Sequence, residues 1–296
     1  MSYMFPIIGL IVVLGCIAGG YLIEKGNLLV LMQPSELLII GGAALGTLLI
    51  GNPPHVLKSI IGSMICVLKG SPYSASLYLD TLKFLNDFFN HTRKNGLTSL
   101  EKDLDEPEKS AFFKKHPTFT RDHHALHFFC DSMRSILTGG VGALELDQIM
   151  ETDLDVLHKQ ARLPVSALST MADSLPGLGI VAAVLGVVIT MQALGGPPEE
   201  IGHKVAAALV GTFLGILLCY GFFGPAAANV AKQVEAESDY FLCLRMAILS
   251  YVKGSPPAIA LEAARRAIPH HVRPSFLEMD KACRKSAQAA GQEAAA

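Results

Sequence analysis

The sequence predicts an all-α, polytopic membrane protein with four transmembrane helices and a helical cytoplasmic domain, and three observations lead there. Of 296 residues, 51% are hydrophobic and the mean hydropathy is +0.41, too apolar for an ordinary soluble chain. Four apolar windows stand out, about residues 4–23, 34–51, 174–194 and 205–224, each near the ~20 residues that cross a bilayer. The charged residues are gathered between and after these windows, in stretches with helical periodicity and no convincing strand.

In chain order, the first 23 residues carry no charge and no basic leader, so they read as a retained helix rather than a cleaved signal. Short turns join windows one and two (Glu24 to Gln33) and three and four (Gly195 to Lys204), giving two hairpins. The expected divisions are 1–52 (first hairpin), 53–172 (cytoplasmic domain), 173–224 (second hairpin) and 225–296 (cytoplasmic tail). Basic residues set the orientation. Segment 52–172 holds 13 Lys and Arg and segment 225–296 holds 9, leaving only Lys25 and Lys204 in the turns. The positive-inside rule therefore puts both termini in the cytoplasm.

Within the cytoplasmic segments, Ser76 to Asn90 shows a helical stripe that Asn95-Gly96 should end. Thr98-Ser-Leu-Glu101 fits a capping box, and Pro107 suits the first turn of another helix. Helix is expected from Asp122 to about Lys159 with a break at Gly139-Gly140. It is expected again from Pro225 to about Val252, where Gly254-Ser-Pro-Pro257 stops it. Ala287 to Ala296 is small and polar enough to stay disordered.

Several functions are disfavoured. The net charge of -2 gives no nucleic-acid signature. The six cysteines are scattered, with no pair at metal-ligand spacing. His123 and His127 have helical ligand spacing, but no third ligand completes a metal set. Gly139-Gly-Val-Gly142 lacks the strand and the Gly-Lys-Ser/Thr of a phosphate loop. No nucleophile, base and orienter fall together, so the chain reads as no enzyme and implies no cofactor.

Small residues recur four apart at Gly15 and Gly19, Gly42 and Gly46, and Gly211 and Gly215, spacing that lets helix backbones approach. Glycine is also simply common in membrane helices. No Asp, Glu, Lys, Arg or His lies inside 177–194 or 205–224. An ion carrier needs such a group at membrane depth, so if this chain handles ions a partner supplies the acid.

Asp173–Val188 (DSLPGLGIVAAVLGVV), Val210–Phe223 with Pro225, Arg273-Pro-Ser-Phe-Leu-Glu278, and Arg93 eight residues before Glu101 form a set of motifs spread along the chain. In this pattern the chain resembles the MotA family, the larger stator subunits of the bacterial flagellar motor, within the MotA/TolQ/ExbB proton-channel superfamily. The resemblance implies an inner-membrane homo-oligomer, a pentamer, around a dimer of MotB, which carries a membrane aspartate. It also implies force delivered to the rotor protein FliG. An ExbB- or TolQ-type energiser is the alternative, but those have three spans and lack the Arg-Pro-Ser-Phe tail.

The resemblance gives individual residues roles that must be set beside plainer ones. Pro176 and Pro225 would be coupling hinges; prolines also mark helix ends. Arg93 and Glu101 would face FliG, or be ordinary surface charges, with Glu101 as a helix cap. Thr212 would line the ion path, or bond a helix carbonyl. Ala183 stands where sodium-driven relatives carry threonine, and alanine cannot coordinate sodium, which favours protons.

Overall fold

The computed structural model describes residues 4–192 and 195–293, and among them every regular element is helical. In chain order the helices are α1 (Met4–Ile23), α2 (Leu28–Leu31), α3 (Pro34–Gly51), α4 (Pro54–Lys69), α5 (Ala75–Asn95), α6 (Glu101–Asp105), α7 (Ala111–Lys114) and α8 (Pro117–Thr120). They continue with α9 (His123–Leu137), α10 (Ala143–Gln192), α11 (Pro198–Leu217), α12 (Gly224–Val252), α13 (Pro257–Ala267) and α14 (Phe276–Glu293). Four helical stretches are long and apolar enough to cross a membrane: Phe5–Ile23, Leu28–Gly51, and parts of Ala143–Gln192 and Pro198–Val252. The first two expected windows coincide with α1 and α3. The expected end of the third, Ala193-Leu194, lies outside the described residues.

Two compact units form. One comprises residues 1–71 and 160–234, the other 72–159 and 235–296. The division does not follow hydropathy. Val56, Ile60 and Val67 of α4, and Ala167, Leu168 and Met171 of α10, join the core of the apolar unit.

In the apolar unit, Ile40, Ala44 and Leu48 of α3 form one stripe, four residues apart, packed with Leu175 and Ala182 of α10 and with Cys219. The opposite faces stay open: Phe5, Ile11 and Val12 of α1, and Val184, Val187 and Val188 of α10, are exposed. Apolar side chains left outward at this density belong in lipid or against other chains rather than in water.

The polar unit is organised on α5, which buries Leu82, Phe84, Leu85, Phe88 and Phe89 at helical spacing. Phe84 stacks on Phe119 at 4.0 Å, and Phe129 meets Phe84 and Phe88 edge-on at 5.0 and 4.8 Å. Two hydroxyl pairs tie α5 to α12: the buried Thr81 to Tyr240 at 2.8 Å and the part-buried Thr92 to Tyr251 at 2.7 Å. Both members step by eleven residues, three helical turns, so the two helices run parallel and in register. Arg245 of α12 pairs with Asp147 and Glu151 of α10 at 2.6 and 3.2 Å, which fixes that side.

Four local expectations change. Thr98 makes no cap; Leu97–Leu100 is a 3-10 turn in which Ser99 Oγ donates to the Gly96 carbonyl at 2.7 Å. Pro107 lies in a turn between α6 and α7, not in a helix. The tail is helical to Glu293, in keeping with its alanine content, and Ala294 to Ala296 lie outside the described residues. Pro225 stands inside a helical stretch running from Pro198 to Val252, not beyond a helix end. By contrast, Gly96 ends α5 at φ 81° and Gly139-Gly140 (φ 75° and 93°) separate α9 from α10, as expected.

Candidate functional site

The site is built on the seam between α10 and α11. A Cβ placed on Gly179 would lie 2.9 Å from the Gly211 carbonyl oxygen and 3.1 Å from Gly215 Cα. One on Gly215 would lie 2.6 Å from the Leu175 oxygen, and one on Gly186 would lie 2.7 Å from Ala208 Cβ. Backbone therefore meets backbone along three turns, which only glycine and alanine permit. The Gly211 and Gly215 spacing serves this contact. At Gly15, Gly19, Gly42 and Gly46 an added Cβ would meet nothing within 4 Å, so their spacing has no such use within this chain.

Ala183 and Thr212 flank this seam. The Ala183 amide nitrogen lies 3.2 Å from where a Cβ on Gly211 would stand, and Thr212 is the next residue along α11. Both are half-buried. Among the described residues the Thr212 hydroxyl makes no hydrogen bond to a helix carbonyl, although Thr190 does so, to Gly186 at 2.8 Å. The plainer reading of Thr212 is thus not realised.

Pro176 sits one residue after the Leu175 carbonyl that faces Gly215, within the unbroken α10. Lacking an N–H, it leaves one bond out of the helical ladder. Pro225 comes just after a π-helical segment, Leu218–Phe223. There the Gly224 N–H donates to the Cys219 carbonyl, five residues back, and a Cβ on Gly224 would lie 2.9 Å from that oxygen. Against the same segment, Val13 of α1 would be 3.2 Å from a Cβ on Gly221. Sequence reading missed this π segment; its signal was Gly221 and Gly224 bracketing two phenylalanines before a proline. Such segments concentrate at functional sites.

A second residue was missed. Glu36, in the first turn of α3, is only 5% exposed. Its Oε2 lies 2.6 Å from where a Cβ on Gly211 would be, and has no hydrogen-bond partner among the described residues. The signal was available as an acid two residues after Pro34 in an apolar window. In a first helical turn, however, an acid reads as a complement to the helix dipole.

Arg93 and Glu101 lie elsewhere, in the polar unit. Arg93 is in the last turn of α5 and Glu101 opens α6, with the 3-10 turn between them. Both are exposed, neither is engaged in an ion pair or side-chain hydrogen bond among the described residues, and the Glu101 side chain makes no capping bond back to its helix start, although its backbone N–H closes the 3-10 turn on the Thr98 carbonyl.

Residues 7–96 match the motility protein A N-terminal family model, and residues 121–242 match the MotA/TolQ/ExbB proton channel family model. Over 279 residues the chain is 37% identical to motility protein A of Salmonella typhimurium, covering 94% of each chain. It belongs to the motility protein A family. Chemotaxis protein LafT of Vibrio parahaemolyticus is likewise 37% identical over 278 residues, covering 94% of this chain and 98% of that protein. The fold is that of solved stator complexes. The C. jejuni MotAB structure aligns with a TM-score of 0.75 at 20% identity, over 92% of this chain and 99% of that one. The Bacillus subtilis flagellar MotAB stator complex aligns with a TM-score of 0.68 at 21% identity, over 90% and 96%.

Proposed function

We propose that this chain is the ring-forming stator subunit of a flagellar motor, converting ion-motive force into torque. The observation that carries the reading is the α10–α11 seam: close-packed, and built from segments 177–194 and 205–224 that hold no Asp, Glu, Lys, Arg or His. Ions at that depth require an acid, which in this reading a MotB-type partner supplies; the similar solved structures are complexes of MotA with MotB by name. Protonation of that acid cancels a charge within the ring and changes its fit to α10 and α11. One proton moving down about 150 mV releases about 3.5 kcal/mol, enough to bias one step.

In this reading five copies surround a partner dimer in the inner membrane, with both termini cytoplasmic. The outward apolar faces of α1 and α10 meet lipid and neighbouring copies. Ala183 and Thr212 line the ion path, and Ala183, which offers no side-chain oxygen, makes the driving ion a proton. Pro176 and Pro225 mark where the membrane helices yield. Arg93 and Glu101 present opposite charges to FliG.

The test is swimming speed of a deletion strain complemented with the chain or with Pro176→Leu, each with its cognate partner and with membrane levels checked by blotting. Restoration by the unsubstituted chain alone, at equal levels, is the expected result. Motility that never depends on the chain would sink the reading.

A further inference from the structure

We propose that Glu36 is a proton-binding site of this chain's own, a carboxylate through which protons pass on their way to the partner's membrane acid. The inference rests on the stator reading and adds a residue to it. Among the described residues, Glu36 Oε2 is the one buried side-chain polar atom without a hydrogen-bond partner. Glu36 is 5% exposed as a residue, and leaving its Oε2 buried without a partner in an apolar helix is costly; acids in membrane spans are kept for ion or proton handling.

Its surroundings point the same way. The oxygen is aimed at Gly211, where any side chain would collide with it at 2.6 Å. The same small space is bounded by Ala182 Cβ and the Ala183 nitrogen, each 3.2 Å from that Cβ position. Glu36 thus reaches the neighbours in sequence of Thr212 and Ala183, the two residues that flank the seam. The ionisable residues of α11 are Glu199, Glu200, His203 and Lys204, seven or more residues before Gly211, and Lys204 is already paired with Glu200 at 2.9 Å. α10 brings none between 177 and 192, and α2 none at all. No cation of these helices is placed to neutralise Glu36, whereas a proton can.

The step is a simple transfer. The carboxylate takes a proton from hydronium arriving beside the Glu24–Gln33 turn: one O–H bond of the hydronium breaks, water is left behind, and an O–H bond forms at Oε2. That bond breaks as the proton moves on to the partner's carboxylate, and no electrons change hands. The glycine at 211 keeps the space open in which the proton is handed over.

The experiment compares proton flux into membrane vesicles carrying the complete complex with its partner, for the unsubstituted chain, Glu36→Gln and Glu36→Asp. Co-purification of the partner reports assembly. Glu36→Gln keeps the shape and loses the titrating oxygen; flux is expected to fall about 100-fold in an assembled complex, with Glu36→Asp between. Glu36→Gln conducting like the unsubstituted chain would overturn the proposal. If Glu36→Gln does not assemble, Glu36→Asp decides: assembled with reduced flux supports the relay, and full flux refutes it. Failure of both to assemble assigns Glu36 to packing and also refutes it. Absence of flux in the unsubstituted complex is a distinct result, since it sinks the stator reading itself.

Discussion

At Gly215 the neighbours of an added methyl group would be the Leu175 oxygen at 2.6 Å and Gly179 Cα at 2.9 Å, both backbone. Nothing flexible can yield, so Gly215→Ala must part α10 from α11. The expected loss is about 1–3 kcal/mol, read as a lower melting temperature of the detergent-purified complex. Gly42→Ala, which meets nothing of this chain, is the control for glycine loss alone. Equal melting of the two variants would show that the seam is not tight. The spacing of Gly211 and Gly215 was legible in the sequence, but the same spacing at Gly15 and Gly42 was equally legible and packs nothing here. Spacing says that a close approach is possible and is silent on which partner makes it. Glu36 was hidden for a related reason, because whether a first-turn acid points to water or to a neighbouring helix is settled only by tertiary packing. His116 gives a second test at this scale. Burial beside Phe84 and Phe112 pushes its imidazole below the ordinary 6.5, against the pull of Asp87, whose carboxylate is 3.6 Å away. A lowered folded value means the unfolded chain binds the extra proton first, so stability is lost as pH falls through about 6.5 and below. Melting of the complex is expected to drop on acidification, and His116→Gln should flatten that drop; an unchanged profile would remove His116 from the account.

Helices differ in how far their sequence declares them. The long ones were legible from hydropathy and periodicity because their burial is distributed over many turns: α1 and α3 fall on the expected windows, and α12 stops at Val252 as expected. The stretch from Leu97 to Thr120 was not. Its elements are four or five residues long, and their form depends on how Leu100, Leu104, Phe113 and Phe119 reach the aromatic core of α5. The π segment before Pro225 is another case, in which a helix continues through residues that read as its end. Proline has no N–H to donate, and the turn before it widens so that Gly224 reaches back five residues to Cys219. Pro225→Ala restores the donor and lets the segment tighten to α-geometry. A register change of one residue rotates the remainder of the helix by about 100°, since a helix turns once in 3.6 residues. The expected outcome is normal membrane levels with swimming lost. If the variant swims normally, the widened turn has no part in coupling.

The whole molecule sets stiff polar packing in one unit and close-packed glycine and alanine contacts in the other, and both α10 and α12 contribute residues to each. In the polar unit the pairs Thr81–Tyr240 and Thr92–Tyr251 and the stacked Phe84–Phe119 hold α5 firmly. Arg93 and Glu101 are therefore displayed from a rigid base at the end of α5 and the start of α6, exposed and unpaired among the described residues. Surface charges of this kind contribute little individually, about 0.2–1 kcal/mol a pair, and are screened over about 10 Å at 0.1 M salt. A stepping contact with a rotor needs that weakness, because a tight grip would stall each cycle. Neutralising one charge, as in Arg93→Ala, should thus slow swimming only partly, while Arg93→Glu with Glu101→Lys reverses the pattern and should stop it. Reversing the facing rotor charges should restore motion, which repair of a folding defect could not do. Membrane levels and partner co-purification must stay normal throughout. Full swimming in the doubly reversed variant would show that Arg93 and Glu101 do not make a rotor contact.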